Sequence, residues 1–178
     1  MRLTVYTDYA LRVLMYLAVH PEPKPTIGEI SSSYSVSRNH LMKVVYDLGV
    51  AGYIGTVRGK NGGLRLARRP EDIGLGELIR QTEPDMALVP CFDPVNSPCA
   101  ITPACRLRGA LHQARAAFFG VLDGYTLADL VGNRPALEHL LVRGDSRSAS
   151  DRPQVESPPS TGHRAPVARR SARGRAPT

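Results

Sequence analysis

Tryptophan is absent from this chain of 178 residues, and its aromatic content stops at seven Tyr and three Phe. A core of ordinary size must therefore be assembled from aliphatic side chains, which favours packed helices over an aromatic-rich β-sandwich. Cysteine is scarcer still. There are three, an odd number, all between Cys91 and Cys105, so a disulfide framework of the secreted type is excluded. A long apolar run is also missing. The opening stretch MRLTVYTDYALRVLMYLAVH has an apolar stripe, but Asp8 and Arg12 interrupt it. It lacks a secretory cleavage pattern and is too short to span a bilayer. The expectation is a soluble cytoplasmic protein in a reducing compartment, with no membrane partner. Finally, no dinucleotide-binding glycine fingerprint, Ser-His-Asp arrangement or second cysteine group is present, so the chain is expected not to be an enzyme.

The net charge of +7 is unevenly placed. Residues 143–178 contain eight Arg against three acids, so five of the seven surplus charges belong to this tail. Pro, Ser, Arg and Ala dominate it, and it has too few aliphatic residues to offset the entropy of ordering; it is expected to be disordered. A solvated extension and a supplier of phosphate contacts are both open for it.

The remaining residues read as a series of short elements. A helix is expected over 5–20, closed by Pro21, with PEPKP (21–25) as a loop. Thr26-Ile-Gly-Glu29 has the capping-box pattern, in which hydroxyl and carboxylate each satisfy a free helix-start amide, and that short helix reaches about Ser33. After a turn at Ser35-Val-Ser37, a second helix runs to about Leu48, with Leu41, Val44, Val45 and Leu48 inward. Two apolar runs, Tyr53–Val57 and Leu64–Ala67, flank RGKNGG and predict a β-hairpin with a basic tip. A helix is expected over 72–82. The cysteine loop follows, then a long helix over about 104–123 and a short one over 126–131.

The order helix, turn, helix, basic-tipped hairpin is that of a winged helix-turn-helix, and the fold class is mainly α with a long C-terminal dimerisation helix. Leu107, Ala110, Leu111, Ala114, Phe118, Val121 and Leu122 share one face of the long helix. Twenty helical residues span about 30 Å, more than a small domain readily covers, so a second copy is expected on that face; a helix lying on its own core is the alternative. Ser37, Arg38, Asn39, His40 and Lys43 stand near the start of the second helix, whose free amides suit approach to double-stranded DNA. Arg can read guanine, Asn can read adenine, and Lys or Ser can hold phosphate. Arg58 and Lys60 at the hairpin tip could enter a minor groove or follow the backbone, and Arg12 completes the DNA-contact set. The alternative is a helical hairpin with solvated charges.

The three thiols leave two readings open. Structural zinc prefers four ligands with paired cysteines two to four residues apart, whereas the gaps here are seven and five residues. Pro90, Pro94, Pro98 and Pro103 keep the loop out of helix. Such gaps suit an iron–sulfur cluster, which takes thiolate ligands around a larger body. Three unligated thiols are the other reading, and the polarity of the loop weighs against burying them.

Four segments, MRLTVYTDYALRVLMYLA, SVSRNHLMKVV, VRGKNGGLRLA and CAITPACRLRGAL, resemble the winged-helix family of iron–sulfur transcription regulators that includes IscR. Within that family they are similar to the nitric-oxide-sensing repressors. The resemblance extends from Met1 to about Val131. It implies a homodimer joined by the long helix, one cluster per subunit on Cys91, Cys99 and Cys105, and binding to an inverted-repeat operator. It implies domains at 1–83 for DNA binding, 84–103 for the cluster loop, and 104–142 for the dimerisation helix and a short C-terminal helix, with 143–178 outside. A histidine ligand found in IscR-like members three residues past the last cysteine is replaced here by Arg108, which keeps its proton and cannot ligate. The resemblance then implies Asp8, from the first helix of the other subunit, as fourth ligand; an ordinary charge in a helix's first turn is the alternative. Of the two cluster types, 4Fe–4S is expected over 2Fe–2S, because three thiolates and a carboxylate can serve four corner irons. The function implied is a repressor released when nitric oxide attacks the cluster, freeing genes of nitric oxide detoxification. Rival readings are a sensor of iron or cluster supply in the same fold, a small redox protein, and a cluster-free repressor with oxidation-sensitive thiols.

Overall fold

The computed structural model describes residues 2–92 and 99–142. Its first element is α1 (Val5–Val19), opened by Thr4, whose hydroxyl accepts a hydrogen bond from the Thr7 amide. Ala10, Val13, Leu14 and Leu17 are buried on one side of it, and Val19 is buried at its end. Leu41, Val44, Val45 and Leu48 of α3 (Arg38–Val50) and Ile30 of α2 (Ile27–Tyr34) complete the centre of the core. Full burial of each such aliphatic side chain contributes roughly 1.5–3 kcal/mol. The expected capping box is present: the Thr26 amide donates to Glu29 Oε2 at 2.6 Å, and the Glu29 amide donates to Thr26 Oγ1 at 3.3 Å.

The turn between α2 and α3 rests on Ser35, a non-glycine residue with φ of 53°. That left-handed conformation is held by its amide donating to Ser32 O at 3.2 Å and by Ser31 Oγ donating to Val36 O at 2.6 Å. Helix α3 continues to Val50, two residues past the expected end at about Leu48. The Ala51 amide still finds Asp47 O at 2.9 Å, and the positive φ that ends the run falls on Gly52.

Strands β1 (Ile54–Val57) and β2 (Gly63–Leu66) pair antiparallel, Ile54 opposite Leu66 and Val57 opposite Gly63. This is the expected hairpin, with Gly59 at φ of 107° turning its tip. Near its tip, β2 is fastened to the proline loop by the Leu64 amide donating to Pro25 O at 2.8 Å. Gly63 lies so close to the Lys24 carbonyl that a β-carbon there would collide with it.

The helix expected over 72–82 is split. Pro70–Asp72 forms a single 3-10 turn, and α4 starts only at Leu75 (Leu75–Thr82). Between them, Ile73 and Gly74 are extended because they pair with a later segment. Gly74 bridges Thr126, the Leu127 amide donates to Ile73 O, and the Leu75 amide donates to Tyr125 O, both at 2.9 Å. A partner some 50 residues downstream thus outweighs local helical preference, a common outcome when backbone groups find long-range mates.

The long helix is α5 (Arg106–Leu122), of 17 residues, or about 25 Å. None of its side chains is buried within the single chain. The short capped helix α6 (Leu127–Leu130) follows, with Thr126 and Asp129 forming a second capping box. A further helix, α7 (Arg134–Val142), was not expected. It packs on α1 and α2 and buries Leu141. Leu137 and Leu141, four apart, with Pro135 near the helix start, are the signals that mark it. No described helix is long and apolar enough to cross a membrane. The tail expected to be disordered lies outside the described residues.

Candidate functional site

The DNA-contact candidates fall into two groups and one outlier. Ser37, Arg38, Asn39, His40 and Lys43 are all exposed around the first turns of α3. Ser37 caps that helix without a side-chain cap bond. Arg58 and Lys60 are exposed at the hairpin tip. The outlier is Arg12, whose Nε lies 2.9 Å from Asp8 Oδ2 while its guanidinium sits 5.5 Å above the Tyr34 ring. It is committed to its neighbours on α1 and α2. His40 stacks on Tyr9 of α1, ring centroids 6.3 Å apart, beside a cleft of about 280 Å3 between α1 and α3.

A connection that sequence patterns did not reveal joins these helices. Tyr6 Oη donates to Asp47 Oδ2 at 3.0 Å, and Lys43 Nζ donates to the same oxygen at 3.0 Å. The Lys43 and Tyr6 bonds hold the Asp47 carboxyl below the usual carboxylate range. Burial, reinforced by the bond to Asp47, pushes the Tyr6 phenol up to about 12. A candidate phosphate-contacting lysine is thus wired, through one carboxylate, to the helix that carries Asp8.

The start of α1 is tied to the exit of α4 as well. Glu83, nearly buried, accepts from the Thr4 amide at 2.7 Å and from Thr4 Oγ1 at 3.1 Å. Thr7 Oγ1 donates to Thr82 Oγ1 at 3.0 Å, and Thr82 Oγ1 in turn donates to Leu78 O at 2.9 Å. This is where the chain turns toward the cysteines. The Thr4 and Thr7 signal was readable as a cap, but nothing local pointed to Glu83.

Cys91, Cys99 and Cys105 are free thiols; Cys99 is exposed and the other two are half-buried. Cys91 lies in a 3-10 turn (Pro90–Phe92) and Cys105 caps α5. A second 3-10 turn (Thr102–Ala104) joins Cys99 to Cys105, with Thr102 Oγ1 donating to Cys99 O at 2.7 Å and the Cys105 amide donating to Thr102 O at 3.4 Å. The Arg108 amide donates to Cys105 Sγ at 3.4 Å, and Arg108 Nε donates to Cys91 O at 3.1 Å. The first and third cysteines therefore meet at one residue of α5. Among the described residues, no three Cys, His, Asp or Glu side chains converge as they would around a single metal ion. Three soft sulfur donors on the segment that enters a helix are the donor chemistry an iron–sulfur cluster takes. Asp8 is half-exposed on α1 and pairs with Arg12.

Comparison with known proteins gives a consistent picture. A family model described as Rrf2, iron-dependent transcriptional regulator, matches residues 3–133. The HTH-type transcriptional regulator NsrR of Geobacillus kaustophilus (strain HTA426) is 53% identical over 142 residues, covering 79% of this chain and 97% of that protein. NsrR of Bacillus subtilis (strain 168) is 50% identical over the same length, again 79% and 97%. Among solved structures, CymR, the global cysteine regulator of B. subtilis, aligns with a TM-score of 0.62 at 27% identity, over 75% of this chain and 98% of its own. IscR of T. potens aligns with a TM-score of 0.59 at 25% identity, over 75% and 88%.

Proposed function

The chain belongs to the Rrf2 family of transcriptional regulators, and from that premise we propose that it is a homodimeric, cytoplasmic repressor whose grip on an inverted-repeat operator is governed by nitric oxide through an iron–sulfur cluster. The genes it controls are those of nitric oxide detoxification. The observation that carries the reading is that the three free thiols lie on the segment entering α5, with Cys91 and Cys105 both held by Arg108 of that helix, which buries no residue of its own within one chain.

Cys91, Cys99 and Cys105 would hold the cluster as thiolates, and Asp8 would reach it from the other subunit. Such a cluster, with 4Fe–4S preferred, would supply iron that reacts with a small diatomic gas, and Asp8 would favour that reaction because carboxylate is a harder and weaker ligand for it than thiolate. The protein's own part is a choice between two partners for Asp8. Engaged across the dimer, it draws α1 toward the other subunit. Released, it returns to Arg12, 2.9 Å away in the single chain.

Because Tyr6 of α1 holds Asp47, and Asp47 holds Lys43, a change in the seating of α1 reaches α3 directly. The two recognition helices of a dimer must match two half-sites at once, so a small change in their relative placement lowers affinity. This is a two-state switch biased by a ligand. Ser37, Arg38, Asn39, His40 and Lys43 would enter the major groove while Arg58 and Lys60 follow the backbone. Arg12 would steady Asp8 rather than touch DNA.

Anaerobic absorption and Mössbauer spectra of wild type and Asp8→Ala, before and after nitric oxide, test the ligand set. Asp8→Ala is expected to bind a cluster with an altered signal at one iron site and to lose it faster. Identical spectra and lifetimes would remove Asp8 from the site.

Sensing of iron or cluster supply is the second reading, favoured by the family's description as iron-dependent. It predicts that loaded and empty protein choose different operators and that nitric oxide has little specific effect.

A further inference from the structure

The segment leaving α4 must deliver Cys91 to a fixed place, although 13 residues separate it from Cys105. Closing a loop of that length costs entropy that a preformed contact can remove before any ligand arrives. Such a contact is present. Phe92, only 9% exposed, stacks on His112 of α5 with ring centroids 4.0 Å apart and planes at 16°. The Arg115 guanidinium lies 4.8 Å from the centre of the same ring. One turn earlier on α5, Arg108 Nε donates to Cys91 O at 3.1 Å. Residues 108, 112 and 115 lie at helical spacing on one side of α5, and together they grip the two-residue step Cys91–Phe92.

We infer that Arg108, His112 and Arg115 are positioning residues that hold Cys91 beside Cys105 in the empty protein, so that the first and third thiols are arranged within one subunit. The inference rests on the cluster reading above and extends it to side chains that are not ligands. It also gives Arg108 a use at the position where IscR-like relatives have a histidine. Its amide serves Cys105 Sγ and its side chain serves the Cys91 backbone, so it organises the ligand set without joining it. His112, likewise, acts through its ring face on Phe92.

Two readouts on the full-length protein test this. In the empty, reduced protein, alkylation followed by mass spectrometry gives the rate at Cys91 relative to Cys99. In anaerobically reconstituted protein, loss of visible absorbance to an iron chelator gives cluster lifetime. Arg108→Ala and His112→Ala are expected to raise the Cys91 to Cys99 ratio several-fold. Both should quicken cluster loss by roughly tenfold, the usual scale when outer-shell support of a metal site is removed. His112→Phe and Phe92→Tyr keep the stacked rings and are expected to stay near wild type in both assays. An unchanged thiol ratio in both alanine variants, with helical circular dichroism intact, overturns the clamp. If Arg108→Ala fails to fold, the His112→Ala and His112→Phe pair decides alone. Wild type that takes up no cluster overturns the function proposed above, and the thiol ratio then still decides the clamp.

Discussion

At the scale of single residues, the proposed switch rests on side chains outside the obvious motifs. The cysteines announce themselves by spacing, and Asp8 through resemblance, but Tyr6 does not. A tyrosine on the first helix reads as core until its hydroxyl is seen to meet Asp47. Its pH behaviour follows from that burial. The folded phenol is pushed up to about 12, whereas an unfolded one ionises near pH 10. With the folded value raised, its contribution to stability is whole below about pH 10 and is lost as pH climbs toward 12. Tyr34, raised to about 12 mainly by burial, adds to the same window. The melting temperature of wild type should therefore fall steeply between those limits, and Tyr6→Phe should fall less. Near neutral pH the same substitution should cost about 1 kcal/mol, the usual net worth of one hydrogen bond. Equal alkaline slopes in a thermal melt series would show that Tyr6 is not protected.

At the scale of elements, those with local signals were readable and those made by distant pairing were not. The capping box at Thr26, the apolar spacing of Leu41, Val44, Val45 and Leu48, and the glycine-rich tip all translate directly into α2, α3 and the hairpin. The break at Ile73 and Gly74 could not be read, because it depends on backbone groups of Tyr125 and Thr126. The stacking of Phe92 on His112 was hidden for the same reason: 19 intervening residues carry no hint of it.

Helix α5 gives the prediction that belongs here. Leu107 and Val121 are 66% and 62% exposed in the single chain, so changing them costs the chain's own core little. Leu107→Glu with Val121→Glu should shift the protein from dimer to monomer in sedimentation at micromolar concentration. Helical content should be retained and operator binding lost. A variant that stays dimeric would move the interface elsewhere.

At the scale of the whole molecule, one helix stands where the assignments meet. Through Thr4 and Glu83, α1 touches the segment that leads to the cysteines; through Tyr6 and Asp47 it touches α3. Through Asp8 it would reach the other subunit. The basic tail, 143–178, enters at this scale through its charge. With its eight arginines it is expected to add phosphate contacts without sequence preference. Deleting it should lessen the fall of operator affinity with rising salt while leaving the preferred operator unchanged. An unchanged salt slope would exclude the tail from the interface.

The central claim is that nitric oxide acts on DNA binding through the cluster site. It is tested most directly by measuring operator affinity anaerobically, by fluorescence anisotropy, on fully loaded dimer with and without stoichiometric nitric oxide at fixed salt. A loss of affinity of at least about tenfold, equivalent to about 1.4 kcal/mol, is expected in step with the change in visible absorbance. Affinity that stays constant while the absorbance shows the cluster reacting would contradict it.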